Sequence, residues 1–166
     1  MTDITNNINL FIENNAKRTE KLKLLKALDY IKQNNIKLNY KNEYNNIIHS
    51  ITLIQNNIEI GYFQIDNLYT IPSMNIFIDD QYQGNQLSRL MITSILYVLS
   101  KCISSDLLLY IDCDASNGFW TSIGMKENKY YSTQIYKNRY NSGYELCIRI
   151  KELTKWALDN TNIFIS

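Results

Sequence analysis

The stretch "DDQYQGNQLSRLM" (residues 79–91) joins an alternating apolar run to a helical one, and it holds one of only 5 glycines in 166 residues. Upstream, "SMNIFID" (73–79) puts Met74, Ile76 and Ile78 on one side and Asn75, Phe77 and Asp79 on the other. That is the period of a strand. Downstream, Leu87, Leu90, Met91, Ile95, Val98, Leu99 and Cys102 recur at helical spacing. Gly84 at this junction has two readings. One is an ordinary strand-to-helix turn. The other is an anion cradle, because the first N–H groups of a helix lack internal partners and carry the positive end of its dipole. A glycine there lets the chain turn tightly and lets a phosphate come close. Gln83, Gly84, Asn85, Gln86, Leu87 and Ser88 would supply the N–H groups. The stretch is neither G-x-G-x-x-G nor a Walker loop, since no Lys-Ser/Thr follows.

Outward from the junction, Leu22, Leu24, Leu25, Leu28 and Ile31 predict a helix over 16–36, preceded by a short strand at "INLFI" (8–12). "IIHSITLI" (47–54) and "IEIGYFQI" (58–65) flank Gln55-Asn56-Asn57, the pattern of an antiparallel hairpin. Pro72, the one proline, marks the start of the next strand. "DLLLYIDC" (106–113) is a near-continuous apolar run, as in a centrally buried strand. "SNGFWTSIGM" (116–125) reads as a short helix ending at Gly124. "KYYSTQIY" (129–136) and "YELCIRI" (144–150) alternate as strands about a turn at Asn141-Ser142-Gly143, and "KELTKWALD" (151–159) closes as a helix. The expected fold is α/β: one domain over 1–166, with a mostly antiparallel mixed sheet, flanking helices and a crossover near its middle.

Hydrophobic residues make up 45% of the chain, enough for a core, and the net charge is +1. Such a balance gives no reason to expect a nucleic-acid binder, and the lysines of "KRTEKLKLLK" (17–26) read as a solvated helix face. No apolar run approaches the roughly 18 residues of a membrane span, and "MTDITNNINLFIENN" is too polar for a signal peptide. Three cysteines make no closed disulfide framework, so a reducing, cytoplasmic setting is expected. Their spacing fits no zinc pattern and His49 is the one histidine, so no metal is expected.

Two segments carry a family resemblance. Gln81-Tyr82-Gln83-Gly84-Asn85-Gln86 is similar to the Q/R-x-x-G-x-G/A loop of the GNAT superfamily of N-acetyltransferases, with Gln86 in place of the second small residue. "LYIDCDASNGFWTSIGM" (109–125) resembles that family's strand, Asn-x-x-Phe-Tyr-like helix start and closing Gly-Phe, at Asn117, Phe119, Trp120, Gly124 and Met125. Gln86 and "IDCD" (111–114) look most like the glucosamine-6-phosphate N-acetyltransferases. The resemblance covers about a third of the chain well and implies a GNAT-like sheet with a splayed strand pair at the acyl-CoA site. It also implies an enzyme with acetyl-CoA as co-substrate. Phe77, Ile78, Gln83, Gly84, Asn85, Gln86, Leu87, Ser88, Arg89, Asn117 and Phe119 would then hold the cofactor, with Arg89 and Lys101 placed to meet its phosphates.

The implied reaction moves an acetyl group to an amine. The amine must first lose a proton from an ammonium of pKa near 10, and the thioester oxygen needs a preorganised donor, here the backbone N–H of Ile78 or Ile76. Asp112 is the candidate for orienting the amine or relaying its proton, ahead of Asp79, Asp80 and Asp114. Trp120 stands where many relatives have an acidic Tyr. An indole donates a hydrogen bond but delivers no proton, so Trp120 acts as a donor or packs. Either Tyr110, Tyr130, Tyr131 or Tyr136 replaces the acid, with Tyr130 preferred, or the thiolate leaves without an acid from the enzyme. Cys113 reads as a small buried hydrophobe rather than a nucleophile. The leading expectation is a transferase for a small primary amine: a polyamine, an alkyl amine or an amino sugar. A peptide or protein N-acetyltransferase and a silent acyl-CoA-binding module are the alternatives. Family resemblance also raises a homodimer paired through the last strands, unless the helix around Trp156 covers that edge.

Overall fold

The computed structural model describes residues 1–45, 47–101, 103–104, 106–111, 117–127 and 146–159. In chain order its elements are β1 (Thr2–Asp3), α1 (Thr5–Asn15), α2 (Arg18–Gln33), β2 (Ile36–Glu43), β3 (Ile48–Gln55), β4 (Ile58–Asp66) and β5 (Ser73–Ile78). After a 3₁₀ turn (Asp80–Tyr82) come α3 (Leu87–Leu99), β6 (Leu108–Ile111), α4 (Asn117–Ile123), β7 (Lys126–Glu127), β8 (Leu146–Arg149) and α5 (Ile150–Leu158).

The N-terminal segment departs from expectation. "INLFI" is helical, inside α1. Ile8, Phe11 and Ile12 are buried while Leu10 is 64% exposed. A strand would have put Ile8, Leu10 and Ile12 on one face, whereas a helix groups positions 8, 11 and 12. The Asp3 carboxylate accepts hydrogen bonds from the Thr5 amide (3.0 Å) and hydroxyl (2.7 Å), starting the helix. α2 buries Leu24, Ala27, Leu28 and Ile31 and ends before Asn35, which turns to φ +56°. Ile36, expected in that helix, therefore opens β2, a strand the apolar pattern did not announce. Its outward positions carry Lys37, Asn39 and Lys41, and only Ile36 and Leu38 are buried.

The β3–β4 hairpin forms as expected. Gln55 pairs with Ile58 across Asn56 and Asn57, whose φ angles of +52° and +64° suit a tight two-residue turn. β5 follows Pro72 and pairs antiparallel with β4. The sheet order is β1-β2-β3-β4-β5-β6-β8-β7. Every described pairing is antiparallel except β5 with β6, which are joined by the α3 crossover. That parallel pair touches only at Ser73 and Tyr110, where the Tyr110 amide donates to the Pro72 carbonyl at 2.9 Å. Beyond that point the strands part, so the expected mixed sheet with a splayed pair is present.

α3 is buried almost all round and packs on β3, β4 and β5, with α1, α2 and α5 beside it in one helical layer. α5 begins one residue earlier than the sequence pattern implies, directly after Arg149, and rests on α3, α2 and β8. "KYYSTQIY" and the turn at Asn141-Ser142-Gly143 lie outside the described residues.

Candidate functional site

Where β5 leaves β6, its own backbone sets the chemistry of the gap. The Asp79 amide donates to the Ile60 carbonyl at 3.0 Å, which extends the β4–β5 ladder by one pair. Hydrogen-bonded pairs alternate in an antiparallel ladder. Phe77 and Asn75 therefore point their backbone groups at β4, and Ile76 and Ile78 point theirs into the gap. The Ile78 carbonyl is taken by the Gln83 side chain at 3.0 Å, as that orientation requires.

Beyond β5 the loop is braced by its own side chains. Tyr82 donates its hydroxyl to the Gln55 side chain, and Gln55 in turn donates to the Asn34 carbonyl at 2.8 Å. Asn85 turns its amide back onto the carbonyls of Tyr82 (3.0 Å) and Gln83 (3.3 Å). Gly84 sits at φ +87°, and a Cβ built there meets nothing within 4 Å. Backbone conformation, then, and not crowding by the protein, requires the glycine, and the space before it is open. Gln86 is also left-handed, at φ +61°. A side chain in that region costs about 1–2 kcal/mol, which the braced loop sustains.

Gln86 caps α3 without a side-chain hydrogen bond, and the Leu90 amide closes the first turn on its carbonyl at 3.1 Å. The amides of Leu87, Ser88 and Arg89 are left facing a cleft of about 650 Å³, ordinary for a small-molecule site. The cleft is lined by β5, by Gln83, Gly84 and the first turn of α3, and by Phe119 and Trp156.

Most residues expected to hold a ligand come together here: Phe77, Ile78, Gln83, Gly84, Gln86, Leu87, Ser88, Arg89 and Phe119 all line the cleft. Asn85 braces the loop instead. The Arg89 side chain is not free to meet a phosphate. It is 8% exposed, its Nη1 donates to the carbonyls of Trp156 (2.7 Å) and Ala157 (3.3 Å), and its guanidinium lies 4.0 Å from the Trp156 ring centre. Burial lowers its pKa, with the Glu20 charge partly opposing, and it stays a cation. Lys101 lies beyond the far end of α3, bonded to the Tyr97 hydroxyl at 3.0 Å, and cannot serve the cradle.

Trp120, read from the sequence as a hydrogen-bond donor or as packing, sits in the core. The ring is fully buried against Phe119, does not line the cleft, and leaves its indole N–H without a partner among the described residues. It packs α4, which ends at Gly124 (φ +111°) with the Met125 amide donating to the Trp120 carbonyl at 3.2 Å. Asp112, Tyr130, Tyr131, Tyr136, Cys113 and Asp114 lie outside the described residues, as does the side chain of Asn117. His49 is buried on β3 beside Tyr40, away from the cleft. Cys147 on β8 has its thiol pKa raised by burial, which makes it a poor nucleophile.

Among the described residues, Asp80 is the one carboxylate lining the cleft, and its Oδ1 accepts from Gln83 Nε2 at 3.2 Å. It stands beside amides that suit an anion. Asp80→Asn keeps the acceptor and removes the charge. Anion affinity is then expected to rise about threefold to tenfold at low salt and less at high salt, measured by calorimetric titration. Trp156 is the cleft residue that spacing did not disclose; its helix reads as an ordinary amphipathic one.

No family model matches the sequence, and no curated protein does. Among solved structures, the chain is similar to the PaiA N-acetyltransferase of Thermoplasma acidophilum in complex with coenzyme A. The TM-score is 0.47 and the identity 14%, over 78% of this chain and 70% of that one. It is also similar to the ribosomal-protein-S18-alanine N-acetyltransferase of Escherichia coli, with a TM-score of 0.40 and 18% identity over 80% and 87%.

Proposed function

We propose that this chain is an acetyl-CoA-dependent N-acetyltransferase of the GNAT type, acting on a small primary amine. One observation carries the reading: a parallel strand pair that parts beside a braced, glycine-turned helix N-terminus, with both opening on one cleft. An acyl-CoA needs both features, a cradle for its pyrophosphate and an exposed strand edge for its amide-bearing arm.

The residues present fit such a ligand. Gly84 leaves open space before the loop, and the amides from Gln86 to Arg89 are free of side-chain caps. When bound, acetyl-CoA supplies an activated acetyl thioester. The chain's part is electrostatic and positional. The Ile76 and Ile78 amides, held by the β4 ladder, are preorganised to donate to a developing oxyanion. Leu87, Phe119 and the β5 side chains give the cleft an apolar lining. Asp112 is assigned to the incoming amine and Tyr130 to the departing thiolate, while Trp120 packs. A thiol needs only modest acid assistance, since its pKa is about 8.5.

A silent acyl-CoA-binding module is the second reading, favoured by the burial of Trp120 where an acid is expected. Free-thiol release from acetyl-CoA, followed with polyamines, amino sugars and short peptides, separates the two. Turnover on a polyamine or amino sugar is the expected result. Turnover on peptides alone would replace the small-amine reading, and coenzyme A binding without turnover would support the module. A protein that does not bind coenzyme A at all would refute the reading.

A further inference from the structure

Trp156 lies on α5, 67 positions beyond Arg89, yet it reaches the wall of the same cleft. Two contacts fix its ring. One face carries the Arg89 guanidinium at 4.0 Å, and Phe119 forms a T-shaped pair with it at 6.4 Å and 89°. Arg89 is itself locked to the last carbonyls of α5. A half-buried indole is thus held rigid before any ligand arrives, so little ordering entropy is lost when something stacks on it.

Its location is informative. Arg89 is the third residue of α3, and the ring packed on it sits within about one turn of the uncapped amides at that helix's start. The gap beside Ile76 and Ile78 opens on the same cleft. A ligand phosphate on those amides would share the cleft with a polar strand edge and a flat aromatic wall. Nucleotides carry a flat base a short way from a phosphate.

We infer that Trp156, with Phe119 beside it, is a nucleobase-stacking subsite that holds the adenine of coenzyme A against α5. This inference rests on the acetyl-CoA reading for the identity of the nucleotide. The C-terminal helix thereby contributes to the ligand site as well as to the core, and Arg89 acts as a positioning residue for the ring.

The test divides the cofactor. Affinities of wild type, Trp156→Leu and Trp156→Phe are measured by calorimetry for coenzyme A, 3′-phospho-ADP and 4′-phosphopantetheine. Trp156→Leu is expected to weaken coenzyme A and 3′-phospho-ADP about tenfold or more, leave 4′-phosphopantetheine within about twofold, and be largely rescued in Trp156→Phe. Equal losses for both halves, loss confined to phosphopantetheine, or no loss would overturn the subsite. Wild type binding 3′-phospho-ADP but not coenzyme A would sink the transferase reading and keep the subsite; binding neither would sink both. Fluorescence gives a second readout, because the chain has only 2 tryptophans. With Trp120→Phe, the remaining indole emission should be quenched by 3′-phospho-ADP and not by 4′-phosphopantetheine.

Discussion

Gly84→Pro is expected to lower coenzyme A affinity on the order of a hundredfold while the chain stays folded. Two physical losses combine. Proline fixes φ near −65°, and Gly84 sits at +87°, so the loop must swing its amides away from the cleft. Proline also removes one N–H from the cradle. The preceding residue is no obstacle, since Gln83 at φ −70°, ψ 157° already has the extended conformation that proline demands. Gly84 is exposed and its position touches nothing else, so thermal stability should fall only a few degrees. Gly84→Ala keeps the N–H and adds only left-handed strain of about 1–2 kcal/mol. It should cost about tenfold. Titration of each variant with coenzyme A, alongside circular dichroism melts, checks the pair. Undiminished affinity in the proline variant would mean that the loop does not cradle the pyrophosphate.

Trp120→Ala is the second large effect, and it is an effect on folding. Removing a fully buried Trp leaves a cavity that costs about 3–5 kcal/mol. Total stability for such a domain is about 5–15 kcal/mol, so a drop of roughly 6–20 °C in melting temperature is expected for this size. Trp120→Phe is the informative companion. It keeps an aromatic ring against Phe119 and deletes an indole N–H that has no partner among the described residues. Its destabilisation should be much smaller, and acetyl transfer should stay within about twofold of wild type. A hundredfold fall in turnover in Trp120→Phe, with an unchanged melting temperature, would return Trp120 to the chemistry and remove it from the role of core packing.

The glycine junction was legible because its requirement is local. Few side chains tolerate φ +87°, so a scarce glycine between a period-2 run and a helical run reports its own backbone. The Asn56-Asn57 hairpin was legible for a similar reason. "INLFI" misled because five apolar-rich residues fit either period, and only packing of Ile8, Phe11 and Ile12 on the core chose the helix. β2 escaped notice because its lysines and asparagines face outward, leaving just Ile36 and Leu38 to mark the buried side. Arg89 and Lys101 looked equivalent as cations on one helix. One is buried under α5, and the other lies past the opposite helix end.

By itself the sequence determined the conformations set by neighbouring residues: the strand before Gly84, the turn at Gly84, the helix after it and the hairpin before them. Tertiary structure alone decided how these meet. β5 and β6 part after a single paired position, which leaves the Ile76 and Ile78 amides facing the gap. α5 lays Trp156 over Arg89 at the cleft wall. Such contacts arise from the packing of one helical layer on a twisted sheet between residues far apart in the chain, and local periodicity carries no record of them.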